Sequence, residues 1–309
     1  MRALVTGAAG FIGSNLALEL ARLGHEVVGL DDFRTGNFEN LRRFTGDFIG
    51  ADVCGVLDWA PRVGKVDVVF HQAAITDTTL EDQKLMMRVN VEAFRDLLEW
   101  SAKAGVKKVV YASSAATYGD GPVPMKESAP MRPMNVYGFS KMVMEKVAAD
   151  FQKKHPKMVV AGLRYFNVFG PNERFKNKLS SMIWQLSLQM RAGKRPRIFE
   201  RGEQYRDHIY VKDVVRANLL AASGKASGVF NCCTGRKTTF NEIIDFLNAA
   251  LGTKLEPDYF KNPYSFYQSE TLGDPGAAAR AFKFNAQYTV ETGIRDYFAG
   301  DKSPLGAQR

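Results

Sequence analysis

The chain has 309 residues, of which 45% are hydrophobic, 11% aromatic and 24% charged. That composition excludes disorder as the main state and allows one large α/β domain or two lobes; no apolar run approaches the ~18–20 residues of a membrane-spanning helix, so a soluble chain with no membrane partner is expected. The net charge of +9 is scattered over singles and pairs such as Arg42-Arg43, Lys107-Lys108 and Lys153-Lys154, which argues against a nucleic-acid partner and for a small anionic ligand.

Residues 3–6 are a short apolar run ending at Gly7, and this glycine punctuation suits a strand and turn better than a secretory signal. Residues 11–23 have helical spacing, and residues 25–30 are apolar again before Asp31, which makes a β-α-β unit. The alternation continues through a strand at 66–74, a helix at 84–104, a strand at 107–114, a helix at 136–155 and a strand at 158–166. Parallel neighbours need helical crossovers, so this order predicts an α/β fold, a doubly wound parallel sheet of the Rossmann kind, over residues 1–170. Beyond Pro171 the order loosens into a helix at 179–192, a basic link at 193–197, an apolar run at 229–233 and a helix opening near Thr239. These pieces predict a smaller substrate-binding lobe over residues 171–309, with some segments returning to the main sheet. Cys232 and Cys233 are neighbours, a spacing that disulfide geometry disfavours, and with Cys54 they show no zinc-site spacing. A reducing compartment, the cytoplasm, and no bound metal are expected.

The first strand runs into Gly7-Ala8-Ala9-Gly10-Phe11-Ile12-Gly13, directly followed by a helix. In that frame the first glycine permits a tight turn, the second lets the backbone approach a pyrophosphate, and the third allows close packing of helix on strand. Asp31-Asp32 ends the second strand, where a carboxylate can accept hydrogen bonds from an adenosine ribose. Two carboxylates repel a ribose 2′-phosphate and favour NAD, while Arg34 can neutralise one and keeps NADP open.

Ser113-Ser114 ends a later strand, and Tyr137 and Lys141 follow at a spacing of four, on one face of a helix. An ammonium beside a phenol favours the phenolate, so the Tyr137 pKa is expected to fall from ~10 toward working pH, which makes it a general base. Ser114, at the carboxyl end of a strand, can hydrogen-bond the same reacting hydroxyl.

With these residues in view, the chain resembles the extended short-chain dehydrogenase/reductase family of sugar-nucleotide epimerases and dehydratases. The resemblance covers nearly the whole length, through Gly7 to Gly13, Asp52-Val53, His71-Gln72-Ala73-Ala74, Asn90, Ser113-Ser114, Tyr137 with Lys141, the run from Arg164 to Pro171, and the run from Arg206 to Val214. It implies NAD, or NADP, held by the glycine loop with Asp31 and Asp32, with Asp52 and Val53 near the adenine and with Ala73, Ala74, Asn90 and Phe166 beside the cofactor. It also implies a nucleotide-diphosphate sugar as substrate, with Asn167 and Arg206 on the diphosphate. Capping or surface pairing is the plainer use of Asp52, Asn90 and Arg206.

Dehydratases of the family usually carry an Asp-Glu acid pair after the serine, where this chain has Ala115-Ala116, so epimerisation is the expected reaction. Several stretches are similar to the ADP-glyceromanno-heptose 6-epimerases: Thr76-Asp77-Thr78-Thr79 before Met86-Met87, residues 113–119, residues 135–141, and Asn172-Glu173-Arg174-Phe175-Lys176. That similarity implies Lys176 as a second acid/base beside Tyr137, and Tyr264 as a contact to the sugar or its phosphate. Phosphate contact or simple exposure is the alternative for Lys176, and lobe packing for Tyr264. The segment Asp31-Asp32-Phe33-Arg34 departs from the Asp-Asn start common in those enzymes, which leaves cofactor preference open, and Ile75-Thr76-Asp77 differs as well. A UDP-hexose 4-epimerase is the other enzymatic reading. A non-catalytic NAD-sensing protein on the same fold is disfavoured by the presence of Ser114, Tyr137 and Lys141 together. The resemblance also implies a homo-oligomer, associating through helices that flank the sheet.

Overall fold

The computed structural model describes residues 1–262 and 270–299. Short apolar runs form strands β1 (Arg2–Thr6), β2 (Glu26–Asp31), β3 (Asp47–Gly50), β4 (Val68–His71), β5 (Lys108–Ser114) and β6 (Val159–Tyr165), with a further strand at Gly228–Cys232. All seven lie parallel in one sheet, in the order Gly228–Cys232, β6, β5, β4, β1, β2, β3. The order reverses between β1 and β4, so the loops leaving these strands part and open a crevice at the carboxyl edge.

Side chains alternate across each strand and so feed two separate cores. Ala3, Val5, Phe70 and Val110 pack with Leu16 and Leu20 of the helix Phe11–Arg22 and with Val214 and Ala217 of the helix Val211–Ser223. Leu4, Val69 and Val109 face Phe94 and Leu97 of the helix Ala93–Lys103 and Met144 of the helix Val136–Lys154. A third cluster, around Phe169, Ile198 and Tyr210, is closed by the helices Met182–Arg191, Phe240–Leu251 and Val290–Phe298. Two short parallel pairs, Asn167–Phe169 with His208–Tyr210 and Arg197–Phe199 with Asp258–Phe260, connect this cluster to the crevice.

The structure differs from the expected elements in detail. The helix expected at 84–104 is broken: Gln83–Met87 is α-helical, Arg88–Glu92 is a π-helical turn, and α-helix resumes at Ala93–Lys103. The strand expected at 66–74 stops at His71, which frees Gln72 to Ala74 to line the crevice. The edge strand β3 and the helices Val56–Val63 and Val211–Ser223 were not among the expected elements.

Candidate active site

Gly7 has φ +68, and a Cβ there would press on the backbone of Gln72 and Ala73. At Gly13 a Cβ would enter the Gly7 carbonyl, so the helix Phe11–Arg22 starts against the turn itself. Its N-cap, Gly10, offers no side-chain cap. The first amides of the helix are thereby left for an anion, which the helix dipole also favours. Gly7, Gly10, Phe11, Ile12 and Gly13 all line one cavity of about 760 Å³. An uncapped helix start beside a closely approachable turn fits the pyrophosphate of a dinucleotide.

The far end of this cavity is acidic, with Asp31, Asp32, Asp52 and Val53 on its wall. Asp31 is turned partly inward: its carboxylate accepts from Ala9 N at 2.9 Å and Phe33 N at 2.8 Å, and burial pushes its pKa up. One residue thus ties β2 to the glycine loop. Arg34 pairs with Asp32 at 3.1 Å and with Asp52 at 3.4 Å. Burial pushes the Asp52 carboxyl up, but the Cys54 amide and Arg34 outweigh it and hold it below the usual range. Three carboxylates face one guanidinium here, a balance that repels a ribose 2′-phosphate and suits NAD.

Ser114, Tyr137 and Lys141 meet on the same cavity beside Ala73, Ala74 and Phe166. Asn135 caps the tyrosine helix by accepting from Gly138 N at 2.8 Å, which sets Tyr137 in its first turn, hydrogen-bonded to Ser114. Lys141 is 1% exposed and donates to Ala112 O at 2.8 Å, with its Nζ 5.9 Å from the centre of the Tyr137 ring. The expected fall in the Tyr137 pKa is not what this arrangement produces. Burial raises the phenol pKa, opposed by the Ser114 bond, and burial lowers Lys141 to about 7 against the pull of Glu145. Desolvation is the largest influence on both groups, with Lys141 buried against Ala112 of β5.

Asn167, Lys176 and Arg206 line a second cavity of about 400 Å³, walled by Ile198, Phe199, Phe240 and Phe260. Lys176 lines both cavities and marks their junction, its Nζ 5.7 Å from the Phe11 ring centre. Burial lowers its pKa, while Glu173 pulls it upward. Asn167 donates to Asp207 O at 3.2 Å and to Thr271 Oγ1 at 3.1 Å, and Arg206 donates to Tyr205 O at 2.9 Å. Tyr264 lies outside the described residues.

Asn90, expected beside the cofactor, sits fully buried behind the wall of the first cavity. Its amide accepts from Ile75 N at 2.8 Å and donates to Ile75 O at 3.0 Å and Ser140 Oγ at 2.9 Å, joining the loop after β4 to the tyrosine helix. The π-helical turn is what aims it there. Two carboxylates that the sequence reading did not single out also shape the site. Glu145 pairs with Arg164, both about 4% exposed, at 2.6 Å and accepts from Ser113 Oγ at 2.5 Å. Its place four residues after Lys141 was a signal for it. Glu173 is buried beneath the segment that carries Lys176; nothing in its spacing marked it.

Residues 3–233 match the model of the NAD dependent epimerase/dehydratase family. The chain is 37% identical to an ADP-L-glycero-D-manno-heptose-6-epimerase of Alkalilimnicola ehrlichii, over 95% of both chains. Among solved structures it superposes on the ADP-L-glycero-D-manno-heptose-6-epimerase of Helicobacter pylori with a TM-score of 0.89 and 40% identity, covering 96% of this chain and 95% of that one. The UDP-glucose 4-epimerase of Thermotoga maritima, solved with UDP-glucose, gives a TM-score of 0.89 at 30% identity, over 97% and 98% of the two chains.

Proposed function

This chain belongs to the NAD dependent epimerase/dehydratase family, and from that premise we propose that it inverts the 6-carbon of ADP-glyceromanno-heptose by transient oxidation and re-reduction. The observation that supports this reading most is the place of Lys176: it lines the cavity that holds Ser114, Tyr137 and Lys141, and also the cavity that holds Asn167 and Arg206.

NAD, held by the glycine loop and the acidic end, supplies the chemistry of accepting and returning a hydride. The chain's own groups manage the proton. Ser114 Oγ orients the reacting hydroxyl, and Lys141 fixes the Tyr137 side of the site. Inversion requires a proton to leave the hydroxyl as the carbon loses hydride, and a proton to be given to the ketone oxygen when hydride returns to its other face. Burial lowers the Lys176 pKa and raises that of Tyr137, which orders the pair with the amine as acceptor and the phenol as donor. In this reading Lys176 takes the proton in one direction and Tyr137 delivers the other; the reverse reaction exchanges their roles. Asn167 and Arg206 hold the diphosphate in the second cavity. Ala115-Ala116 supply no acid for eliminating water.

We also place the enzyme in the cytoplasm as a homo-oligomer. All three cysteines are free thiols, and Met134 and Phe139, 50% and 44% exposed, offer apolar surface at the start of the tyrosine helix. No helix among the described residues is long and apolar enough to cross a membrane.

The test is turnover of a panel of ADP-heptoses and UDP-hexoses followed by NMR, with parent protein and with Lys176→Met. Inversion of the ADP-heptose alone, lost in Lys176→Met while the substrate still binds, is the expected outcome. Inversion of a UDP-hexose at its 4-carbon, with Lys176→Met near normal, would replace this reading with that of a 4-epimerase.

A further inference from the structure

Lys176 sits in a short 3-10 helix, Arg174–Leu179, whose backbone is kinked at Asn177. Asn172 and Asn177, neither of them glycine, take φ of +73 and +49. Such backbone persists only where its surroundings over-determine it. Asn40 and Ser180 hold the carbonyls of these two residues, and the ends of the segment 170–181 are joined by Glu173, which is 0% exposed. Oε1 accepts from Gly170 N at 3.0 Å and from Ser181 Oγ at 3.0 Å, and Oε2 accepts from Ser181 N at 2.6 Å. A single carboxylate therefore spans both ends of the segment. Tyr297, on the helix Val290–Phe298, adds a further hydrogen bond to it. The Glu173 carbonyl accepts from Lys176 N at 2.9 Å, which closes the turn that presents Lys176.

The entry to the segment is anchored from the cofactor side. Asn172 donates to Ser14 Oγ at 3.0 Å, and Asn15 donates to Pro171 O at 2.9 Å, both from the helix that begins at the glycine loop. Lys176 is thus referenced to the same helix that receives the pyrophosphate.

We propose that Glu173 is a positioning residue for the epimerisation, a clamp whose carboxylate closes segment 170–181 and so holds Lys176 at the junction of the two cavities. This rests on the reading of Lys176 as an acid/base group. The clamp also acts on Lys176 electrostatically, since Glu173 opposes the lowering of the Lys176 pKa by burial.

A double-mutant cycle in the full-length, NAD-loaded protein tests the clamp, using Glu173→Gln, Lys176→Met and their combination. Glu173→Gln keeps the shape but can no longer accept at every position. It is expected to lower kcat about tenfold to a hundredfold, the order of loss that follows a displaced catalytic group, with KM and bound NAD little changed. The combined variant is expected to be no slower than Lys176→Met alone, because Glu173 acts through Lys176. Losses that multiply, or a Glu173→Gln protein that turns over like the parent, overturn the clamp. A Lys176→Met protein with parent turnover overturns the acid/base reading and the clamp together, whereas a slow Lys176→Met with multiplying losses overturns the clamp alone. If Glu173→Gln does not fold, Tyr297→Phe, which removes one bond to the carboxylate from outside both cavities, carries the same cycle, and parent-like kcat there counts against the proposal.

Discussion

Ser114, Tyr137 and Lys141 bear most of the chemical argument, and burial shifts the pKa of the last two. Tyr137→Phe removes the proton at Oη and leaves the ring in place, so turnover is expected to fall by ~10²–10⁴-fold with NAD still bound, as measured by steady-state rates and by absorbance of the released cofactor. Lys141 carries a linkage signature. Its folded pKa of about 7 lies below the ordinary lysine value, so between these two values the unfolded chain binds more protons than the folded one. Stability contributed by this site is therefore lowest below pH 7 and rises with pH across that window, by at most about 1.4 kcal/mol per pH unit. Urea unfolding of the parent and of Lys141→Met at pH 6 and pH 9 checks this: the parent should gain on the variant at the higher pH, and a gap that does not change with pH would count against a buried ammonium. The identity of this trio was legible in the sequence because Tyr137 and Lys141 are a local helical pair and Ser114 ends a strand. The direction of the Tyr137 shift was not legible, because it depends on the packing of the helix against β5, which no local spacing encodes.

Elements aim these side chains, and the buried polar bridges between elements are where single changes cost most. Glu145 joins the tyrosine helix to β5 through Ser113 and to β6 through Arg164. Glu145→Ala leaves a guanidinium buried without its partner and is expected to destabilise the fold by ~3–5 kcal/mol, read from urea midpoints; a loss below about 1 kcal/mol would show that the pair is already solvated. Asn90 does the same for the loop after β4, with a smaller expected loss of ~1–3 kcal/mol in Asn90→Ala from the Ile75 and Ser140 groups left unpaired. The helices Phe11–Arg22 and Val136–Lys154 and the inner strands were readable from their apolar periods. The strand Asp47–Gly50 was not, being four residues long with both end residues exposed, and the helix Val56–Val63 hides a buried Trp59 behind Gly55 and Pro61. The π-helical turn could not be seen either. One extra residue per turn leaves the composition of residues 84–104 helical while rotating Asn90 away from the cavity.

At the scale of the whole molecule, the sheet order places the glycine loop and the serine strand on one edge, where Val168 and residues 175–179 line the same crevice. The charge at the adenosine end then selects the cofactor. Mass spectrometry of the nucleotide freed by denaturation should show NAD in excess over NADP, and Asp32→Ala should narrow that preference by relieving one carboxylate and leaving Arg34 less neutralised; a parent preparation rich in NADP would contradict the charge argument. The most direct test of transient oxidation and return is the fate of the hydrogen on the inverted carbon. When the ADP-heptose reaction is run in D₂O and followed by NMR, the product should keep its original carbon-bound proton at the 6-position, because that hydrogen leaves and returns as hydride without meeting solvent. Deuterium at that carbon, or no inversion of the heptose at all, would contradict the account.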